Sequence, residues 1–308
     1  MPASLPALNL VAAPGQRRAT LELAREIERR GFAGISVSSQ YSNMSQCVGL
    51  AFATGRIRFA TAIAPIYAAS AEEFSNAAAY LHEVSGGRFQ FGIGIAHAPL
   101  HQRIGITPGR PLADIREFVA RIRSVDGIGP LPPVILAALR KRMVALAGEI
   151  GDGVVFANAA RSHMAVSLGA LPAAKRDDPK FFIGNRIRTC IADDESEAKA
   201  ILRGTVTNYA LMPNYRNYWK EAGYGEEMTA IEIAIAAGRA DEISKYLPDR
   251  WLADIALFRP PAKIRDGVEA WRGSGVRTPV LVPLSADGDP TTALRQVFAA
   301  FADDRRQP

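Results

Sequence analysis

Short runs of β-branched and aromatic residues alternate with stretches whose apolar positions recur every three or four residues, from Leu8 to Phe298. That alternation predicts parallel strands joined by helices. The strand-like runs fall at 8–11, 34–38, 57–63, 89–94, 133–136, 153–156, 186–191 and 279–282. Helical patterns follow at 20–27, 44–54, 71–84, 112–124 and 143–147, then from Ser162, over 195–211 and over 291–301. Gly31, Gly55, Gly86, Gly87 and Gly151 close helices, and Asp193-Asp194 and Ser162 stand where N-caps belong. Eight strands, each followed by a helix, predict a single (β/α)8 barrel domain, a TIM barrel in the α/β class.

One stretch breaks the rhythm. Residues 212–272 hold several helical patterns and no convincing strand, so a helical insertion is expected before the last strand. Four tyrosines and Trp219 crowd residues 209–224. Two readings stand for this segment: a lid or dimerisation element over the barrel mouth, or extra helices packed outside it.

Composition narrows the class. The 308 residues are 48% hydrophobic and 22% charged with a mean hydropathy of zero, which excludes a disordered chain. No apolar run approaches the roughly 20 residues of a membrane span, so no membrane partner is expected. The start of the chain has neither a basic stretch nor an apolar block, and a secretory signal is not expected. Cys47 and Cys190 are far apart, which fits a reducing cytoplasm and gives neither a disulfide framework nor a zinc site. The net charge of +6 is scattered through pairs such as Arg17-Arg18, Arg29-Arg30, Lys175-Arg176 and Arg305-Arg306. A nucleic-acid partner needs clustering on one face, so none is expected; the surplus weakly favours an anionic small ligand.

Spacing dismisses several motifs. Gly92-x-Gly94 follows a strand, but His97 stands where a third glycine belongs, so a dinucleotide turn is not expected. His97 and His101 are four apart, yet Pro99 between them argues against a regular helix and a zinc pair. Position then sorts the rest, because barrel active sites lie at the carboxyl ends of strands. Ser85-Gly86-Gly87-Arg88 enters a strand from below and reads as a structural turn. Ser38-Ser39-Gln40-Tyr41, Ala62 and Ile63 with Tyr67, His97, and the loop of Asn158, Ala159, Ala160, Arg161 and Ser162 lie at the opposite end. In that last loop small residues admit an anion to backbone amides, Ser162 adds a hydroxyl and Arg161 a charge. Simple capping by Ser162 explains the same residues without a ligand. His97 is a candidate proton donor or hydrogen-bond partner to a ring cofactor.

Thr54-Gly55-Arg56-Ile57-Arg58-Phe59-Ala60-Thr61, Val84-Ser85-Gly86-Gly87-Arg88-Phe89, Gly92-Ile93-Gly94 and Ala147-Gly148-Glu149-Ile150-Gly151-Asp152-Gly153-Val154, with the pattern over 24–32, carry a resemblance over 21–301. Together they resemble the bacterial luciferase-like family of flavin- and deazaflavin-dependent oxidoreductases. Residues 110–119 look like the subgroup dependent on coenzyme F420. The resemblance implies a cofactor ring across the carboxyl ends of the strands. It is backed by a bulge at Ala62-Ile63 that often carries a non-proline cis peptide. It also implies a phosphate-bearing tail running toward residues 158–162, with Ser38 and His97 beside the cofactor. Two departures stand out. Ser38-Ser39 replace a histidine found in many relatives, so a role resting on that histidine does not carry over. Arg140-Lys141 replace Gly-Pro and read as surface charge.

The expected activity is hydride transfer between reduced F420 and a small-molecule substrate, with Ala62 and Ile63 fixing the ring, His97 near its reactive edge and Tyr67 shaping the substrate side. An FMN-dependent monooxygenase using molecular oxygen is the alternative, and a non-catalytic flavin-binding barrel a further one. A cytoplasmic homodimer is expected.

Overall fold

The computed structural model describes residues 4–40, 42–258 and 260–302; Tyr41 and the Arg305-Arg306 pair lie outside them. The fold is a (β/α)8 barrel of the TIM type, as the alternation predicts. The chain divides into two compact units, residues 1–157 with 167–184, and residues 158–166 with 185–308.

Apart from one pair of consecutive strands, at Phe59–Thr61 and Ala64–Pro65, and one pair of consecutive helices, at Ala98–Arg103 and Pro111–Arg123, the first unit alternates strands and helices. In chain order these are β1 (Ala7–Leu10), α1 (Arg17–Arg29), β2 (Ile35–Val37), α2 (Asn43–Ala53), β3 (Phe59–Thr61), β4 (Ala64–Pro65), α3 (Ala71–Val84) and β5 (Phe89–Gly94). There follow α4 (Ala98–Arg103), α5 (Pro111–Arg123), β6 (Val134–Ala137), α6 (Lys141–Ile150) and β7 (Gly153–Ala157). The strands pair in parallel, with Leu8 opposite Ile35, Ile35 opposite Phe59, Phe59 opposite Phe89, Phe91 opposite Val134 and Ile135 opposite Gly153. Both faces of these strands are buried, which is why they read as continuous apolar runs rather than alternating ones. Phe59 and Phe89 lie 5.6 Å apart, Phe89 and Phe91 6.2 Å, and Phe74 of α3 sits 5.7 Å from Phe91. Each such ring removed from water contributes about 1.5–3 kcal/mol.

Lower turns set the register. Gly86 and Gly87 take φ of 62° and 79°, the left-handed region that side chains disfavour. Arg88 then donates to the carbonyls of Ser85, Ile57 and Ala51 and to the Thr54 hydroxyl, bolting the turn to α2 and the start of β3. Ser85-Gly86-Gly87-Arg88 is thus a structural turn, as its position predicts.

In the remaining chain α7 (Met164–Leu168) and α8 (Ala173–Asp177) precede β8 (Phe182–Cys190), whose residues from Asn185 onward belong to the second unit. That unit continues through α9 (Glu195–Ala210), α10 (Pro213–Glu221), α11 (Gly225–Ala236), a 3-10 segment at Ala240–Tyr246, α12 (Asp249–Ile255), β9 (Ala256–Phe258), α13 (Pro261–Gly273), β10 (Thr278–Leu284) and α14 (Pro290–Ala300). Asp194 caps α9 by accepting from the Ser196 amide at 2.8 Å, as expected. The segment 212–272 is mostly helical but not free of strand: β9 pairs in parallel with β8, Arg188 opposite Ala256 and Cys190 opposite Phe258. Trp219, Trp251 and Trp271 are all buried in this unit, Trp219 and Trp251 edge to face at 4.7 Å.

Candidate active site

In the first unit the polar side chains gather where β1 to β5 end. Asn9 on β1 accepts hydrogen bonds from the Ser36 hydroxyl at 3.2 Å and the Ser38 hydroxyl at 3.1 Å. Strand three breaks after Thr61, and the peptide between Ala62 and Ile63 is cis. The break is held from three sides. The Ala62 amide donates to the Val37 carbonyl at 2.7 Å, the Thr61 hydroxyl donates to the Gly92 carbonyl at 2.7 Å, and Asn43 Nδ2 donates to the Ile63 carbonyl at 3.0 Å. Gly92 is required here, since a Cβ on it would stand 1.9 Å from the Thr61 carbonyl oxygen. Ala62 is buried while Ile63 is half-buried, so the break presents one aliphatic side chain outward.

Gln46 lies one helical turn beyond Asn43 on the same face of α2. Its Oε1 accepts from the Ala12 amide at 3.2 Å, while its Nε2 is buried with no hydrogen-bond partner among the described residues. An unmet donor at such a depth costs about 1–3 kcal/mol unless something supplies an acceptor. Sequence reasoning missed Asn43 and Gln46. The available signal was two amides on the helix face that also buries Cys47 and Leu50.

His97 follows β5 and stands as the N-cap of α4, preceded by Ala96 at φ 65°. Pro99 does not abolish the helix; it falls in the first turn, where proline is tolerated, so the expected irregular loop is a short helix. Burial pushes the His97 imidazole below its ordinary pKa, and the neighbouring His101 adds to the effect. His101 points inward, its Nε2 2.6 Å from the Ile95 carbonyl, and meets the Tyr67 ring edge to face at 5.5 Å. The Tyr67 hydroxyl donates to Asp114 Oδ2 at 2.5 Å. Burial first, then this carboxylate, raise its pKa, so Tyr67 remains a neutral phenol. Asp114, on the first turn of α5, is a further residue that sequence reasoning missed.

In the second unit the segment 158–162 is stitched to its own helices. The Asn158 carbonyl accepts from Trp219 Nε1 at 3.1 Å, and its amide donates to the Arg186 carbonyl at 3.2 Å. Asn158 takes φ 53°, a left-handed conformation that asparagine tolerates better than most residues. The Ala160 amide donates to the Tyr218 hydroxyl at 3.1 Å. Asp254 of α12 accepts the Ser162 amide at 2.8 Å, the Ser162 hydroxyl at 2.6 Å and the Tyr224 hydroxyl at 2.9 Å. Ser162 is not an N-cap, because the helical turn begins at Arg161 and Ser162 lies inside it. Ala159 and Ala160 are fully buried, and an anion at this loop would have to displace a carboxylate already in place. The aromatic residues Tyr215, Tyr218, Trp219 and Tyr224 are buried around the loop as the core of this unit.

Comparison with known proteins places these features. The model of the family described as luciferase-like monooxygenase matches residues 6–278. A 5,10-methylenetetrahydromethanopterin reductase of Methanolobus tindarius is 26% identical over 204 residues, covering 58% of this chain and 62% of the relative. The coenzyme F420-dependent tetrahydromethanopterin reductase of Methanopyrus kandleri superposes with a TM-score of 0.75 at 17% identity, covering 96% of this chain and 97% of that one. A type II Baeyer-Villiger monooxygenase of Pseudomonas putida, the oxygenating constituent of 3,6-diketocamphane monooxygenase in complex with FMN, superposes with a TM-score of 0.66 at 14% identity, covering 98% of each chain.

Proposed function

The chain belongs to the luciferase-like monooxygenase family, a family of F420- or FMN-dependent oxidoreductases, and on that premise we propose that it moves a hydride between reduced F420 and a small organic substrate. The observation that carries this reading is the buried, unmet Gln46 donor one helical turn from the Asn43 side chain that holds the Ile63 carbonyl. A flat ring edged with carbonyl groups, resting on Ile63, supplies the acceptor that Gln46 lacks. The F420 ring, when bound, supplies the hydride chemistry. The protein's part is orientation. Ala62 and Ile63 would hold the ring, Gln46 would donate to one of its carbonyl groups, and neutral His97 would hold or accept a hydrogen bond beside it. Tyr67, its proton committed to Asp114, offers the substrate an acceptor oxygen and an aromatic wall. The 25% identity over 281 residues to a putative coenzyme F420-dependent oxidoreductase of Mycobacterium tuberculosis supports F420 over FMN, although Gln46 would serve either ring. For the loop at residues 158–162 we keep contact with the phosphate-bearing tail as a proposal, in competition with Asp254.

Fluorescence titration with F420 and with FMN, each alone, tests the choice. Micromolar F420 binding followed by hydride transfer to carbonyl or enone acceptors is the expected result. Binding of FMN alone overturns it in favour of the monooxygenase, and binding of either ring without turnover leaves a flavin-binding barrel. Gln46→Leu should weaken ring binding by about tenfold, the value of one buried hydrogen bond.

A further inference from the structure

Two histidines stand one helical turn apart at α4 and are placed in opposite ways. His97 caps the helix and is half-buried, whereas His101 is the buried residue of a short helix whose other side chains reach solvent. An apolar side chain would fill that place at lower cost, since a buried imidazole must find partners for its nitrogens. His101 has found one: its Nε2 lies 2.6 Å from the Ile95 carbonyl oxygen. A carbonyl oxygen only accepts, so Nε2 carries the hydrogen and the tautomer of the neutral ring is fixed.

The peptide whose carbonyl His101 takes is the one joined to Ala96. At φ 65° this alanine is left-handed, a conformation in which its Cβ is crowded. Such a residue stays put only where its surroundings hold it. Here the Leu100 and His101 amides donate to the His97 carbonyl at 2.9 and 3.2 Å, and the His101 side chain returns to Ile95, so the turn is gripped on both sides of Ala96. The same imidazole meets the Tyr67 ring edge to face at 5.5 Å, and the Tyr67 hydroxyl is committed to Asp114. We propose that His101 is a positioning residue: by donating to the Ile95 carbonyl it fixes the turn at Ala96 and with it the direction of the His97 side chain, while its ring seats Tyr67. It acts through these two residues and not on the substrate. The donor matters more than the bulk, because a hydrogen bond is directional and packing is not. This inference rests on the reading of His97 as the residue beside the reacting ring.

The test begins on the full, unaltered chain without cofactor. At about pH 8, where an ordinary imidazole is neutral, a long-range proton–nitrogen spectrum should show the His101 hydrogen on Nε2 and slow to exchange. A hydrogen on Nδ1 overturns the inference, whatever any variant does. His101→Leu keeps much of the bulk and removes the donor, while His101→Gln returns an N–H near the place of Nε2. The leucine variant should move the His97 ring resonances, and the glutamine variant should bring them back. In turnover of F420 with carbonyl or enone acceptors, His101→Leu should lower kcat about tenfold with KM held within about threefold, and His101→Gln should recover most of the loss. A leucine variant that melts earlier but keeps kcat and the His97 resonances reduces His101 to packing and overturns the inference. Equal losses in both variants do the same, since the donor is then not what counts. A chain that transfers no hydride fails the proposed function alone, and the His97 resonances still decide whether His101 sets that side chain.

Discussion

The His97 imidazole illustrates how burial sets chemistry one residue at a time. Its pKa in the folded chain lies below the ordinary 6.5, so it is neutral at pH 7 and takes a proton only in more acid solution. The unfolded chain protonates first as pH falls through 6.5, so this residue withdraws stability on the acid side. The acid limb of kcat/KM should therefore lie below about pH 6.5 and vanish in His97→Asn, which bonds but does not titrate. His97→Ala should lower kcat about 100-fold while cofactor affinity stays within threefold; unchanged kcat would remove it from the reaction. Asp254 makes a different residue-scale argument. Asp254→Ala leaves the Ser162 amide and the Tyr224 hydroxyl without their acceptor and should cost about 2–4 kcal/mol in urea unfolding. Asp254→Asn keeps the shape and removes the charge, so F420 should gain affinity relative to its phosphate-free core. An unchanged ratio of the two dissociation constants would show that the loop does not meet the phosphate.

Elements are held by contacts that tie a helix end to the next strand. Glu28, near the end of α1, accepts the amides of Gly55 at 3.0 Å, Arg56 at 2.6 Å and Ile57 at 2.8 Å, the turn that feeds β3. Burial opposes the charge, but these backbone bonds and the Arg56 charge hold the Glu28 carboxyl below its usual range. A depressed carboxyl contributes stability above its unfolded pKa and loses it as pH falls through the folded one. Glu28→Gln should thus cost about 1–2 kcal/mol at pH 7, and the gap from the unaltered protein should close below about pH 4 in denaturant titrations. Gly92→Ala collides with the Thr61 carbonyl and should prevent soluble folding or cost more than about 3 kcal/mol. The sequence made the eight principal strands, the lower glycine turn and the break at Ala62 and Ile63 readable, because periodicity, φ-permissive residues and family motifs mark them. It hid β9, because three residues carry no period. The continuation of strand three in β4 was equally hidden, because the break interrupts the run. Asn43, Gln46 and Asp254 were hidden because what matters is whom they meet across the fold, over separations of 20, 34 and 92 residues.

At the scale of the whole molecule, charge and ligand act on every element at once. The surplus of six positive charges favours anionic ligands in general, so binding at low salt needs correction before any site is inferred from it. A cofactor that binds only the folded chain should raise its unfolding free energy by about 2.7 kcal/mol at a hundredfold excess over Kd, seen as a melting temperature that climbs with ligand concentration. The placement of Trp219, Trp251 and Trp271 has its own consequence, since all three indoles of the chain belong to the second unit. Tryptophan emission therefore arises from the second unit, and a denaturation curve followed at that wavelength reports on that unit. Set beside far-ultraviolet dichroism, which sees every helix, it becomes an optical test of cooperativity: coincident midpoints mean one melting event, and separated midpoints mean two.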